Sequence, residues 1–84
     1  MKNANIASIL RDIAFLLEME EHDSNIVFKI RSYKRASDVT ANLSSNIEEV
    51  YTTHGLKGLM EIPSIGKAIA LKIENTLKQE KSNI

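Results

Sequence analysis

The sequence predicts an all-α fold, and three observations support that prediction. Apolar residues recur at spacings of three and four, the period of amphipathic helices rather than strands. Short polar stretches rich in Ser, Asn and Asp separate these segments. The one proline and the three glycines all lie between positions 55 and 66. With 84 residues, the chain is expected to form one compact four-helix domain, 1–84.

The first helix is predicted to end near Glu20. Asn3 or Asn5 is expected to cap its start. Its apolar stripe consists of Ile6, Ile9, Leu10, Ile13, Leu16 and Leu17. The polar stretch 20–25, which includes His22, is expected to be a loop.

The second helix is predicted to start at a Ser24 or Asn25 cap and to run to about Leu43. At about 100° per residue, one half of its wheel is largely apolar. That half consists of Ile26, Ile30, Tyr33, Ala36, Ser37, Val39, Thr40 and Leu43. The opposite half carries Arg31, Lys34, Arg35 and Asp38. Lys29 is an exception, because it lies in the apolar half, one turn before Tyr33.

A short third helix is predicted after a cap within 44–46, and it is expected to end at His54 and Gly55. Its inner residues are Ile47, Val50 and Tyr51. One more turn, 56–60, precedes a strong turn signal at 63–66. The last helix is predicted from Lys67 to about Gln79, with Ile69, Ala70, Ile73 and Leu77 facing the core. The polar tail 80–84 is expected to fray.

Composition excludes several classes of protein. The absence of cysteine excludes disulfides and thiolate metal sites, and no apolar run approaches the roughly 20 residues of a membrane span. The simplest expectation is a cytoplasmic protein. Eleven basic and eleven acidic side chains give a net charge of zero, which argues against strong, purely electrostatic binding of nucleic acid. The bases nevertheless cluster in 24–40 and from Lys57 onward, which permits a basic face.

The segment 59–70 has the layout of an anion-binding site. A helix ends in Ile62 and Pro63, a tight turn follows, and a new helix begins at once. The free N–H groups and the dipole of the new helix point in front of the turn, where phosphate is the natural occupant. Gly66 would allow a close approach of the backbone, and Lys67 adds positive charge. The alternative interpretation is an ordinary connection between two helices with no ligand.

Four segments of the chain also resemble a known family. Residues 62–70 are similar to the helix-hairpin-helix pattern apolar-Pro-Gly-apolar-Gly-x-x-apolar-Ala. Together with 13–18, 28–36 and 55–59, they resemble the N-terminal small domain of family X DNA polymerases, from about Asn5 to Leu77. This resemblance implies a SAM/polymerase-β N-terminal-like fold, with the hairpin motif at 56–79.

The resemblance further implies binding of gapped or nicked DNA at a 5′-phosphate, without base readout. Lys29 and Tyr33 match the family's phosphate-pocket positions, and Lys72 matches the nucleophile of members that are 5′-deoxyribose-phosphate lyases. The backbone carbonyls of Met60, Ile62 and Ile65 would hold a Na⁺ or K⁺ ion that bridges to a DNA phosphate. No other cofactor is expected. The absence of a Gly-rich nucleotide loop indicates no nucleotide cofactor, and the absence of a long apolar run indicates no membrane partner. A nucleoid-associated protein is expected, with a monomer favoured.

The chain departs from the family pattern at three positions. Ser64 replaces the first hairpin glycine, which adds strain if that position requires a positive φ. Ala68 stands where lyase members carry another basic pocket residue, beside Lys67. Leu71 stands on the outer face of the last helix, where a polar residue is expected. No counterpart of the polymerase catalytic domain is present, so polymerisation is not expected of this chain.

Three hypotheses therefore follow from the sequence. The first is a non-enzymatic module that docks on gapped DNA through Lys29, Tyr33, Ser64, Gly66, Lys67 and Ala68. The second is a lyase that uses Lys72, which lies at the border of the apolar stripe, about 60° from Ile69. In the third hypothesis, the domain kept the fold but binds protein instead of DNA. Zero net charge and Ser64 favour this last hypothesis, and the lysines oppose it.

Overall fold

A computed structural model describes residues 2–20 and 24–82 of the chain. This part contains helices α1 (Asn3–Glu20), α2 (Ser24–Ala41), α3 (Ile47–Met60) and α4 (Lys67–Ser82), and no strand. The predicted all-α, four-helix fold is confirmed. Residues 21–23 of the predicted first loop, including His22, and residues 83–84 of the predicted tail lie outside the described residues.

Helices α1 and α2 form an antiparallel pair. The Ser37 hydroxyl donates to the carbonyl of Ala7 over 2.7 Å. On the outer side of the pair, Lys34 lies 2.7 Å from Glu18, and Arg11 pairs with Asp38 in the same way. Both ion pairs are substantially exposed, so they fix the alignment of the helices more than they stabilise the fold.

One apolar core joins the four helices. Its buried members are Ile6, Leu10, Ala36, Ile47, Leu59, Ile62, Ile65, Ile69, Ala70, Ile73 and Leu77. All four predicted inner residues of α4 belong to this core, which confirms that stripe. Leu16 was expected on the α1 stripe but is 53% exposed. At about 100° per residue it lies too far around the helix from Leu17 to reach the core.

Asn3 has a different role from the predicted cap of α1. It is buried inside the first turn, and its side-chain amide donates to the carbonyls of Leu43 and Ser45 over 3.2 and 2.7 Å. Its side-chain oxygen accepts the N–H of Ile47 over 2.8 Å. The side chain therefore ties the start of α1 to the segment that leads into α3, about 40 residues away in sequence.

The boundaries of the other helices differ from expectation by a few residues. Helix α2 ends at Ala41, before the predicted Leu43. The Asn46 cap of α3 is confirmed, since its side chain accepts the N–H of Glu48. Helix α4 continues to Ser82, so residues 80–82 are helical where a frayed tail was predicted. Glu80 contributes to this extension, because its carboxylate pairs with Lys2 over 2.7 Å.

Helix α3 contains the break that the sequence predicts at its glycine. Gly55 has φ 69° and ψ −159°, so it interrupts the helical backbone between two shorter helical stretches. The left-handed region of φ is open to glycine and costly for other residues. The second stretch delivers the chain to the turn before α4.

Candidate functional site

The connection between α3 and α4 is a tight hairpin that two buried side chains anchor to the core. The Ile65 N–H donates to the Ile62 carbonyl over 3.1 Å, and both isoleucine side chains are buried. Pro63 follows Ile62, and Ser64 has a φ of 70°. These are features of a type II turn, whose third residue is normally glycine. Ser64 is thus in the strained backbone region that the sequence analysis anticipated for this position.

Gly66 lies at the point where the hairpin becomes α4. Its carbonyl accepts the N–H of Ala70 over 2.9 Å, which makes Gly66 the N-cap residue of α4. Its φ is outside the left-handed region, and a Cβ built on it meets no atom within 4 Å. The backbone therefore does not require glycine here. Its small size instead leaves open space in front of the first N–H groups of α4.

A cleft of about 620 Å³ opens between the start of α4 and the α1–α2 pair. It is lined by Ile13, Leu17, Phe28, Lys29, Ser32, Tyr33, Ser64, Gly66, Lys67, Ala68, Ile69 and Lys72. We call this the α4 cleft. The structure brings together in it all six predicted phosphate-binding residues and Lys72, although these residues span 44 positions of the sequence from Lys29 to Lys72.

Among the described residues, the charged side chains that line the α4 cleft have one sign. Lys29, Lys67 and Lys72 line it, and no described Asp or Glu does. In the part of the chain that the structure describes, none of these three lysines forms an ion pair. Burial raises the pKa of Tyr33 above its usual range. Its hydroxyl, protonated at neutral pH in any case, can donate a hydrogen bond. The arrangement attracts an anion and offers it donors.

A second, more polar cleft of about 450 Å³ lies on the other side of the hairpin. The three residues predicted to hold a cation, Met60, Ile62 and Ile65, line this second cleft. Arg35 and Glu61 also line it. The two clefts share Ser32, Ser64 and Gly66, so the hairpin forms the ridge between them.

Phe28 is a lining residue that the sequence analysis missed. Its side chain is 78% exposed, yet it contributes to the α4 cleft. On the wheel of α2 it lies on the outer half, while its neighbour Lys29 lies on the apolar half. An aromatic residue on the polar half of the helix, directly before a lysine on the apolar half, is the sequence signal that would have identified Phe28 as a site residue.

The structure also places the residues at which the chain departs from the family pattern. Ala68 lines the α4 cleft and is exposed. A methyl group therefore occupies the position at which lyase members carry a basic side chain. Leu71 is 38% exposed on the outer face of α4, as its position in the sequence predicted. Lys72 lines the α4 cleft and is exposed, because the cleft is open to solvent beside it.

The chain belongs to the family of helix-hairpin-helix domains, since the model of that family matches residues 1–82. Helix-hairpin-helix domains are in general nucleic-acid-binding modules, in agreement with the one-signed charge of the α4 cleft. Comparison of the chain with curated proteins gave no match, and neither did comparison with solved structures. Among the described residues, no helix is long and apolar enough to cross a membrane.

Proposed function

We propose that this domain binds gapped or nicked DNA at a 5′-phosphate, as the N-terminal domain of a family X DNA polymerase-like repair protein. One observation carries the proposal. Lys29, Tyr33 and Lys67 converge on a single cleft at the N-terminus of α4, and no carboxylate of the described residues lines that cleft. The nature of the contacts makes binding indifferent to base sequence, because phosphate contacts position DNA without reading it.

The shape of the α4 cleft favours the end of a strand over its middle. A continuous backbone crosses a surface, whereas a terminal phosphate can enter a recess. A terminal phosphate monoester also carries about −1.5 to −2 charges near neutral pH, against one for a backbone phosphate. Three lysines and the N-terminus of a helix therefore discriminate between the two in favour of the terminus. A nick or gap is the structure in duplex DNA that exposes such an end.

The test compares duplexes with a short gap whose 5′ end carries either phosphate or hydroxyl, measured by fluorescence anisotropy. The phosphate is expected to tighten binding by on the order of tenfold, the effect of one charge-assisted contact. Lys29→Ala should remove most of this preference. Lys57→Ala is the matched control, since Lys57 is exposed on α3 and lines neither cleft. Equal affinity of the unmodified protein for both ends would refute the phosphate pocket.

Gly66→Asp tests the role of the α4 N-terminus separately from folding. Asp is a favoured N-cap residue, and the site has room for its side chain. The variant should be at least as stable as the parent, yet its carboxylate occupies the N–H groups and repels phosphate. DNA affinity is expected to fall at least tenfold while the melting temperature holds or rises. If affinity is unchanged in this folded variant, the hairpin is only a connector.

A monovalent cation belongs to the same proposal. The carbonyls of Met60, Ile62 and Ile65 would hold a Na⁺ or K⁺ ion, because these hard cations prefer oxygen ligands. The ion would lie beside the second cleft, which these three residues line. The Ile62 carbonyl accepts one hydrogen bond, from Ile65, and its second lone pair remains available. Bound there, the cation would offset the negative charge of a neighbouring DNA phosphate.

Lyase activity is the second candidate function, and the position of Lys72 in the α4 cleft favours it. The neutral amine of Lys72 would add to the C1′ aldehyde of an opened abasic sugar and expel water to form an iminium ion. Loss of the C2′ proton then eliminates the 3′-phosphate, and water hydrolyses the remaining imine to release the lysine. These steps require no metal ion.

Borohydride trapping distinguishes the lyase from the binding module. An incised abasic duplex is mixed with the protein, and borohydride reduces any iminium to a stable cross-link. A lyase should give an adduct that is lost in Lys72→Ala and persists in Lys67→Ala. The absence of an adduct on fully bound DNA would exclude the lyase and leave the binding proposal intact. An adduct that survives Lys72→Ala would assign the nucleophile to another residue.

A further inference from the structure

The lining of the α4 cleft is more apolar than a phosphate group requires. Besides its three lysines, it presents Ile13, Leu17, Phe28, Ala68 and Ile69. Its volume of about 620 Å³ lies within the range of about 300–1,000 Å³ typical of clefts that hold a whole small molecule. A phosphate group fills only a small part of that volume and makes no use of apolar walls.

Phe28 gives this apolar surface a specific chemistry. A side chain of this size that is 78% exposed leaves most of its aromatic ring in water, where it contributes nothing to the core. It directly precedes Lys29 in α2 and lines the same cleft. An exposed aromatic ring beside unpaired cations is the combination that proteins use to stack a nucleic-acid base while holding its phosphate.

We infer that the α4 cleft accepts the whole 5′-terminal nucleotide, with its phosphate at the lysines and its unpaired base stacked on Phe28. This inference rests on the proposed function and specifies its ligand. Charge complementarity selects the occupant, because the described residues give the cleft three lysines and no carboxylate. The apolar wall selects a terminus with an intact base over an abasic one. The methyl group of Ala68 extends this apolar wall where a charged side chain would interrupt it.

The experiment uses four gapped duplexes with one unpaired 5′-terminal residue. That residue is either thymidine or a tetrahydrofuran abasic analogue, and each carries either a 5′-phosphate or a 5′-hydroxyl. Anisotropy with the full chain is expected to show that the base tightens binding of the phosphorylated end by on the order of tenfold, the effect of stacking one base on an aromatic ring. Phe28→Ala should remove this gain, and Phe28→Tyr should keep it.

Phe15→Ala is the matched control. Phe15 is a similarly exposed aromatic residue, 60% accessible, but it lines a different depression, beside Arg11 and Lys34. Its removal should leave the base-dependent gain unchanged, and an equal loss in both alanine variants would overturn the assignment to Phe28.

The four duplexes also separate the two levels of the proposal. If the phosphate strengthens binding and the base does not, or if the abasic end binds more tightly, the present inference is wrong and the proposed function stands. If neither the phosphate nor the base matters, both are wrong.

Discussion

At two positions of the hairpin, the residue type does not match the backbone conformation. Ser64 has a φ of 70°, which glycine tolerates best. Gly66, two residues later, has no need of glycine's conformational freedom. The strained serine therefore costs stability, whereas the glycine provides space. These residues affect different properties, and substitutions at the two positions should separate stability from binding.

Ser64→Gly is expected to stabilise the domain by about 0.5–1 kcal/mol. It removes about 1–2 kcal/mol of left-handed strain and returns part of that gain through the greater entropy of glycine in the unfolded chain. It also removes a side chain from the ridge between the two clefts, so DNA affinity should increase. Urea denaturation and anisotropy measure the two effects.

A second variant, Gly55→Ser, places serine at the other residue with a positive φ, 69°. Because the ψ of Gly55 is −159°, its backbone lies in a region essentially restricted to glycine, and the variant should lose about 2–3 kcal/mol. A destabilised Ser64→Gly variant would mean that the serine side chain forms a contact that outweighs its backbone strain.

Sequence reasoning identified the polar residues of the candidate site better than its aromatic residue. Lys29 was predictable as a site residue because a lysine in the apolar half of a helix breaks the amphipathic pattern. Phe28 did not, because an isolated exposed hydrophobic residue is common on protein surfaces. The positive φ of Ser64 was anticipated only through the resemblance to hairpins with glycine at that position. That the α4 cleft joins all of these residues depends on the packing of α2 against α4, which no local pattern encodes.

At the level of elements, hydrophobic periodicity sufficed to predict the four helices. It did not predict the side-chain hydrogen bonds that connect them. The break at Gly55 and the cap at Asn46 were predictable because both act within a few residues of themselves. The hydrogen bonds of Asn3 with residues 43–47 and that of Tyr51 with Glu74 join distant segments. Such contacts leave no periodic signal in the sequence.

Asn3→Ala is expected to destabilise the domain by about 2–3 kcal/mol. The substitution leaves the N–H of Ile47 without the acceptor that the Asn3 side chain provides, and an unsatisfied buried donor costs about 1–3 kcal/mol. The carbonyls of Leu43 and Ser45 lose a donor as well. Urea denaturation provides the measurement.

Asn5→Ala, an exposed change on the same helix, should alter stability by less than about 0.5 kcal/mol. A comparable loss in both variants would show that helix propensity, rather than the connection to α3, governs the effect of Asn3.

The pair of Tyr51 and Glu74 should make the fold sensitive to alkali. The hydrogen bond to Glu74, burial and the negative charge of that carboxylate all raise the pKa of Tyr51 above its ordinary value of 10.0. The folded chain therefore holds the phenolic proton more tightly than the unfolded chain does. The resulting stability is fully present below pH 10 and is lost as the pH rises through the folded pKa. Lys2, whose pKa the hydrogen bond to Glu80 raises, acts in the same direction.

Tyr51→Phe tests this dependence. It should be less stable than the parent at neutral pH, because the hydrogen bond of 2.8 Å to Glu74 is lost. Above about pH 10 its melting temperature should fall less steeply with pH than that of the parent, because one linked titration is gone. Parallel curves for the two proteins would remove Tyr51 from the alkaline transition.

At the level of the whole molecule, the balance of charge sets the strength of binding. The net charge is zero, and several bases outside the α4 cleft are neutralised by acids, as in the pairs of Arg11 with Asp38 and Lys34 with Glu18. The unpaired lysines of the cleft are thus a local feature on a neutral molecule. Under the proposed function, this neutrality favours recognition of a DNA strand end over adhesion to any DNA surface.

The salt dependence of DNA binding should reflect this limited number of cations. With three lysines near phosphate, the logarithm of the association constant should fall against the logarithm of salt concentration with a slope of about −3. Ala68→Lys, which adds a positively charged side chain to the cleft, should steepen the slope by about 1. Thr53→Lys, at an exposed position of α3 outside both clefts, should not. A slope near −6 in the parent would indicate a broad basic surface instead.

The ion pair of Lys2 with Glu80 brings the two ends of the described chain to the same place on the molecule. At about 1.5 Å per residue, Glu80 lies roughly 20 Å along α4 from Lys67 and therefore from the cleft. The two ends of the described chain are therefore adjacent on one side of the domain, at the opposite end of α4 from the cleft. The domain is accordingly suited to insertion into a surface loop of a carrier protein, or to circularisation through a short linker peptide, with its cleft unobstructed.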